Sequence, residues 1–586
     1  MEFTSRVPKG TNLQRGKPVS SRDVVTQLSQ LYDDYWEFIL KEYPLSATYL
    51  GDHRYDGVLE DASEGAFNRR VAQSKKYLDQ LRSVKKPSSK PDLLNYELFE
   101  RELEDNLEAA KFRPYLTPMT QQSGLQIDIP ELVTYHPFRT LSDFENFSSR
   151  LRAFPQLVDQ VIENMRAGIR AGIVLAKVTA EKIIPQLEAN VGHDPEKLDL
   201  YKSVEKIPSG IISKEALRIK NDIAEAIQHS IFPAFEKLLA FFKKEYLQAC
   251  RSDAGIWFLP DGNDRYAYTV RHYTTTNLSP NEIHDLGLRE LSRIHTEMRA
   301  IVDRIGFKGS LQDFISSLRR DRSLYNTSAA DLLAGFKKIL EQMDAKLPLL
   351  FGRLPKAKYG FREIEAFRAE AAPDAYYYRP PEDGSRPAYF YVNTFRPEQR
   401  PKYTMEVLAY HEAVPGHHLQ LAIQQELTDL PRFRRHGGYT AFIEGWGLYS
   451  EELPKLVGFY KDALSDFGRL SFDAWRAARL VVDTGIHHKH WPRERAIQFF
   501  LENTALSELN VASEVDRYIA WPGQALAYKI GQLKISELRA RAEKALGQRF
   551  DIREFHDELL GDGALALDVL ENKMRSWTDR KSETHS

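Results

Sequence analysis

Cysteine is almost absent: Cys250 is the only one in 586 residues. One cysteine excludes an internal disulfide framework and every cysteine-rich zinc or iron–sulfur site. A metal, if held, must be held by His, Asp or Glu. Long apolar runs are missing too. No stretch reaches the roughly 18 residues a membrane-spanning helix needs, although 42% of the chain is hydrophobic. Neither sign of charge is in excess: 81 Lys+Arg against 83 Asp+Glu leave a formal net charge of −2. That excludes a global basic surface for nucleic acid or an anionic membrane, and neither is expected as a partner. Residues 1–20 are polar, carry Pro8 and Gly10, and lack the apolar core of a secretory signal. They read as a flexible arm, and 577–586 as a flexible tail. The expected location is cytoplasmic, although a signal removed during maturation would leave the same sequence.

Strand signal is scarce, and most of the chain has helical period. Helical patterns cover about 22–41, 62–82, 93–111, 141–175, 214–248, 280–304, 404–428, 440–452, 466–487, 511–519, 522–545 and 551–576, among others. Ser142–Glu145, Ser279–Glu282 and Ser328–Asp331 have the spacing of helix caps. Tyr376–Tyr378 and 388–393 are aromatic, β-favouring runs about Gly384, and predict a hairpin. The expected fold is all-α with a small β element near 376–393. Residues 21–576 form one helical unit, with an N-terminal lobe about 21–350 and a C-terminal, metal-bearing lobe about 351–576.

One segment stands apart. His411-Glu412 is followed by Pro415-Gly416, then His417-His418; Glu444-Gly445-Trp446 comes 27 residues after His417. Imidazole and carboxylate are zinc ligands, and a Glu beside the first His can take a proton from water. This is the outline of a gluzincin site, but its spacing departs from HExxH. On a regular helix His417 lies about 120° off the face of His411, and His418 returns to that face roughly 10 Å away. Neither shares a metal with His411 unless the helix is interrupted. Pro415 lacks the N–H that would bond the His411 carbonyl, and Gly416 tolerates unusual torsions. Looping out two residues brings His417 to the ligand position; looping out three brings His418. Two is the smaller distortion, so His411, His417 and Glu444 are the expected ligands, with His418 the alternative to His417. Glu451, seven residues after Glu444 and on the same face, is expected behind the ligands, with Glu452 the weaker choice. Taken singly, each residue has an ordinary structural reading. The set carries the inference, and three protein ligands leave a position for water.

HEAVPGHHLQ (411–420), FIEGWGLYSE (442–451), RLVVDTGIHHKHW (479–491) and YIAWPGQALAYKIG (518–531) resemble blocks of the domain-of-unknown-function 885 family. GSRPAYFYVNT (384–394) and FHDELLGDGALALDVLE (555–571) are similar to it as well. The family comprises predicted metallopeptidases of the zincin class. The resemblance implies a helical fold similar to angiotensin-converting enzyme and thimet oligopeptidase, two lobes enclosing a channel with zinc at its floor. The expected activity is hydrolysis of short peptides, with one zinc per chain and Glu412 as general base. A His₂Glu set also accepts cobalt, manganese or iron. Tyr528 is the first choice as oxyanion donor, with His487 and His488 as alternatives. Asp483 and Arg479 could pair and orient such a histidine. Arg386 or Asn393 could hold a substrate terminus, although Arg386 could equally brace its turn. Arg432, Arg434 and Arg435 read as a solvated loop. Two other readings remain: a hydrolase of a non-peptide amide or ester, and a helical binding protein with a vestigial metal site. The sequence assigns no oligomeric state.

Overall fold

The computed structural model describes residues 21–365, 369 and 372–583. The arm expected at 1–20 lies outside the described residues. The last helix, Leu567–Glu583, continues past 577, where a tail was expected. No described helix is long and apolar enough to cross a membrane.

The chain is mostly α-helical with one small sheet. Where the apolar period and the caps agree, the expected helices form. Ser279 and Glu282 make a reciprocal capping box that opens Pro280–Ile305. Ser328 caps Ala329–Asp344. At the third expected start the cap is Thr140, with Asp143 as its partner; Ser142 lies inside the helix. The periodic stretch 551–576 divides into Ile552–Leu560 and Leu567–Glu583. The helix Gly262–Thr274 was not anticipated, because its Tyr, Thr and Val are weak helix formers and tertiary packing overrides them.

The expected hairpin is present as β2 (Ala375–Tyr378) and β3 (Ala388–Val392), paired antiparallel; the unforeseen β1 (Tyr359–Glu363) lies parallel to β3 on its other side. The order β1-β3-β2 leaves β2 at an edge.

The cores do not divide near residue 350. Met119–Tyr246 supplies its own apolar core. Ile283 and Leu332–Phe351 instead join the core built around Tyr410, Leu419 and Trp446. Phe433, between the two metal-candidate helices, packs with Tyr32, Tyr35 and Phe99 of the first helices. The closest helix crossing sets Thr440–Ser450 on Ala527–Leu546. A Cβ on Gly531 would stand 1.8 Å from the Ala441 carbonyl oxygen and 2.7 Å from Gly445 Cα. The backbones therefore touch, and this contact fixes Glu444 relative to Tyr528. Gly531→Val is expected to cost about 3 kcal/mol or more through overpacking, read as a lowered unfolding midpoint in a denaturant titration.

Candidate metal centre

The helix Met405–Glu412 ends at the His-Glu pair, and a new helix, His417–Gln425, starts at the second histidine. Ala413 leaves helical torsions, and the Val414–Pro415 peptide is cis. Gly416 folds back onto the helix end; a Cβ there would lie 1.9 Å from the His411 carbonyl oxygen. The helix therefore breaks across 413–416 instead of bulging by two residues.

That break turns His417 toward His411. Glu444 Oε2 lies 3.6 Å from His411 Nε2 and 3.4 Å from His417 Nε2. The three ligand atoms all lie within 4.8 Å of one another. Ligand atoms around a tetrahedral zinc stand about 3.3 Å apart, so the set fits such an ion. Gly447, one turn after Glu444, makes room for both rings: a Cβ there would lie 2.8 Å from His411 Cε1 and 3.1 Å from His417 Cε1.

The donor and acceptor pattern fits a cation as well. Buried Glu451 Oε1 lies 2.8 Å from His411 Nδ1, so Nδ1–H donates to it and Nε2 presents a lone pair. Glu444 Oε2 has no hydrogen-bond partner and is buried. Burial works against ionising Glu444, yet His411 and His417 hold its pKa well below the usual range. Burial opposes a charge on His411 too, but Glu444 and Glu451 outweigh it and raise its pKa to about 9. With no metal bound, this proton fills the place of a cation, and an entering metal must displace it.

Glu412 Oε2 accepts the Tyr377 backbone N–H of edge strand β2 at 3.1 Å. Burial raises the Glu412 pKa, against the pull of His417 and His411. Nothing in the sequence pointed to this strand contact. His418 faces the sheet: its Nδ1 is 3.2 Å from the Tyr377 hydroxyl. Glu452 lies outside the ligand set, 3.7 Å from Arg469.

Tyr528 lies beside the centre, its ring 6.4 Å from that of His411 and within 18° of parallel. Its hydroxyl accepts from Arg517 Nη2 at 3.3 Å. Five expected roles are not supported by the contacts. His487 is fully buried; its Nδ1 accepts from Ile256 N–H and its Nε2 donates to the Tyr518 carbonyl. His488 is exposed on the neighbouring turn. Asp483 accepts from the Tyr266 hydroxyl at 2.6 Å and the Gly523 N–H at 3.0 Å, which anchors the turn before Tyr528; it does not pair with Arg479, whose partner is Glu514. Asn393 is buried, donates to the carbonyls of Ala369, Ala372 and Pro373, and accepts from Phe395 N–H. Arg386 braces its turn, donating to the Arg379 carbonyl and lying over the Tyr378 ring. Nor is 432–435 a solvated loop: Arg432 reaches Glu37, Arg435 reaches Glu382, and buried Arg434 donates to Asn95.

A cavity of about 900 Å³ is lined by Glu102, Arg271, Tyr439, Thr440 and Asp568, and by none of the three candidate ligands. Thr440 is four residues before Glu444, on the same helix face.

The model of a family described as bacterial proteins of unknown function, DUF885, matches residues 44–574. A solved chain from Colwellia psychrerythraea, named a "putative lipoprotein", superposes with a TM-score of 0.90 at 30% identity, over 96% of this chain and 100% of that one. A second, from Shewanella oneidensis and named a "putative lipoprotein of unknown function", reaches a TM-score of 0.69 at 18% identity, over 93% and 99%; at that identity it speaks for the fold alone. No curated protein matches.

Burial pushes the His487 pKa down to about 3, against an ordinary value near 6.5. Below about pH 6.5 the unfolded chain binds a proton that the fold refuses, so the contribution of His487 is full above that pH and fades toward pH 3. His487→Gln is therefore expected to destabilise most at pH 7.5, with the gap to wild type narrowing as the pH falls below 6.5. Urea unfolding from pH 7.5 to 4.5 measures it; a constant gap would contradict the assignment.

Proposed function

The chain belongs to the DUF885 family, whose description assigns no chemistry, and from that premise we propose that it is a zinc-dependent peptidase acting on short peptides. One observation carries the reading: the ligand atoms of His411, His417 and Glu444 converge beside a half-buried carboxylate, Glu412, that belongs to none of the ligand contacts. A purely structural metal site has no need of such a neighbour.

His411, His417 and Glu444 would hold one zinc ion per chain, which would supply Lewis acidity toward water and a scissile carbonyl. Glu412 would be the base that takes a proton from water. Its burial raises its pKa, so it holds that proton well enough to return it to the leaving amine. Tyr377 fixes the Glu412 carboxylate through its backbone N–H. The β2 edge that carries Tyr377 is placed to align an extended peptide main chain by strand addition. Tyr528 accepts its hydrogen bond from Arg517, which has only donors to give. The phenolic proton is therefore free to be donated to a developing oxyanion. The side chains of His417 and Glu444 are only 11% and 18% exposed, so the surface of a folded protein would not reach them.

Two measurements on one variant test the reading. Metal content by mass spectrometry is expected to give about one zinc per chain in both wild type and Glu412→Gln. Turnover of a short-peptide library is expected to fall at least about a hundredfold in the variant. Near-normal turnover by Glu412→Gln, or failure of the wild type to take up zinc, overturns it.

A further inference from the structure

A wall of side chains leads outward from the candidate ligands. Tyr528 lies along the His411 ring and accepts from Arg517. Arg517 lies in the last turn of the helix Glu508–Ala520, and Trp521 follows one turn later, its N–H on the Arg517 carbonyl at 2.8 Å. Exposure rises along this line, from 9% at Tyr528 to 17% for the Arg517 side chain and 44% at Trp521.

The charges along this wall do not balance. Arg479 and Arg517 share one carboxylate, Glu514. Glu514 takes its short contacts from Arg479 Nη2 at 2.9 Å and the Tyr518 hydroxyl at 2.5 Å, whereas Arg517 Nη1 stands off at 3.4 Å. The shortest bond of Arg517, 2.7 Å, goes to the neutral Gln524 side-chain oxygen. Arg479 Nη1 and Arg476 Nε are buried with no hydrogen-bond partner. The nearest carboxylate to Arg476, Glu451 at 3.7 Å, is already engaged by His411. The cluster is one anion short, and Arg517 is its accessible member. A half-buried guanidinium that only shares its counter-ion, at 3.4 Å, is suited to a further carboxylate, which it can bind through two parallel N–H bonds.

We propose that Arg517 docks the free C-terminal carboxylate of the substrate, with the terminal side chain against Trp521, so that the protein cuts short peptides near their carboxyl end. The inference rests on the hydrolytic reading above. One tyrosine side chain, Tyr528, bridges His411 and Arg517, so the released fragment is expected to be only a few extended residues long, at about 3.3–3.6 Å each.

The test compares one short peptide as free acid and as C-terminal amide, with an Asp placed mid-chain in a third version. In the zinc-loaded full chain the free acid is expected to be cleaved at least about tenfold better than the amide, mainly through KM, with a fragment of two or three residues released. The internal Asp is expected not to rescue the amide. Arg517→Gln should bring the acid-to-amide ratio to within about twofold, and Arg517→Lys should keep part of it; the ratio within each variant cancels any general loss of activity. Equal rates in the wild type, rescue by the internal Asp, or an unchanged ratio in Arg517→Gln overturns the proposal. If neither peptide is cleaved, the hydrolytic reading has failed, and calorimetry on Glu412→Gln decides the subsite separately. Tighter binding of the acid supports the subsite; equal binding rejects it.

Discussion

Lone pairs that face one another must be bridged or they repel. Nε2 of His411, Nε2 of His417 and Oε2 of Glu444 meet in a buried space, and the surrounding structure keeps them there. Glu451 sets the tautomer of His411 from behind. Gly447 leaves the volume the two rings occupy, and the backbone crossing at Gly445 and Gly531 fixes the distance between the helices. A proton or a metal ion meets the same demand, so the centre is held open by its neighbours instead of collapsing into ordinary hydrogen bonds.

The helix Ala463–His487 supports this arrangement. It is almost entirely buried yet carries Arg469, Asp473, Arg476, Arg479 and Asp483. An unanswered charge in such a place costs several kcal/mol, and most of these are answered. Asp473 meets buried Lys529 at 2.6 Å, Arg469 meets Asp466 at 2.8 Å, and Asp483 holds the turn before Tyr528. Arg479 meets Glu514 at 2.9 Å, and the exception is Arg476, whose nearest carboxylate stands at 3.7 Å; each keeps one orphaned nitrogen. Both lie on the side that faces Glu451 and Tyr528. Along this helix, charge satisfaction is relaxed beside the candidate centre, where such departures tend to mark function.

How much of this could be read from residue order differs by element. Helix period, two of the three caps and the hairpin were legible because they depend on neighbours three to seventeen residues apart. The grouping of His411, His417 and Glu444 was legible because Pro415-Gly416 cannot continue a helix, and the smaller interruption favours His417 over His418. Its physical form differs: the helix stops and restarts. Asn393, His487 and Asp483 have the right chemistry for a site but spend it on backbone groups of distant segments, and a sequence does not show where a side chain's hydrogen bonds go. The same blindness hid the Tyr377 contact to Glu412, the parallel partner β1, and the pairing of Arg432 with Glu37 and of Arg435 with Glu382. Arg517 carried no signal at all, being one basic residue on an amphipathic helix until Glu514 is seen to serve two cations.

The candidate ligands all fall between His411 and Glu444, whereas the groups that surround them come from Tyr377, Arg476, Arg517 and Tyr528. Closing a short loop costs little chain entropy, and the cost grows with the length spanned. The ligand pocket can therefore assemble from three neighbouring helices while the more distant wall is still being recruited. Capture of an ion at that stage would pin these helices at their final spacing before the glycine crossing with Ala527–Leu546 forms. A cation would then serve this chain first as a template for its own assembly.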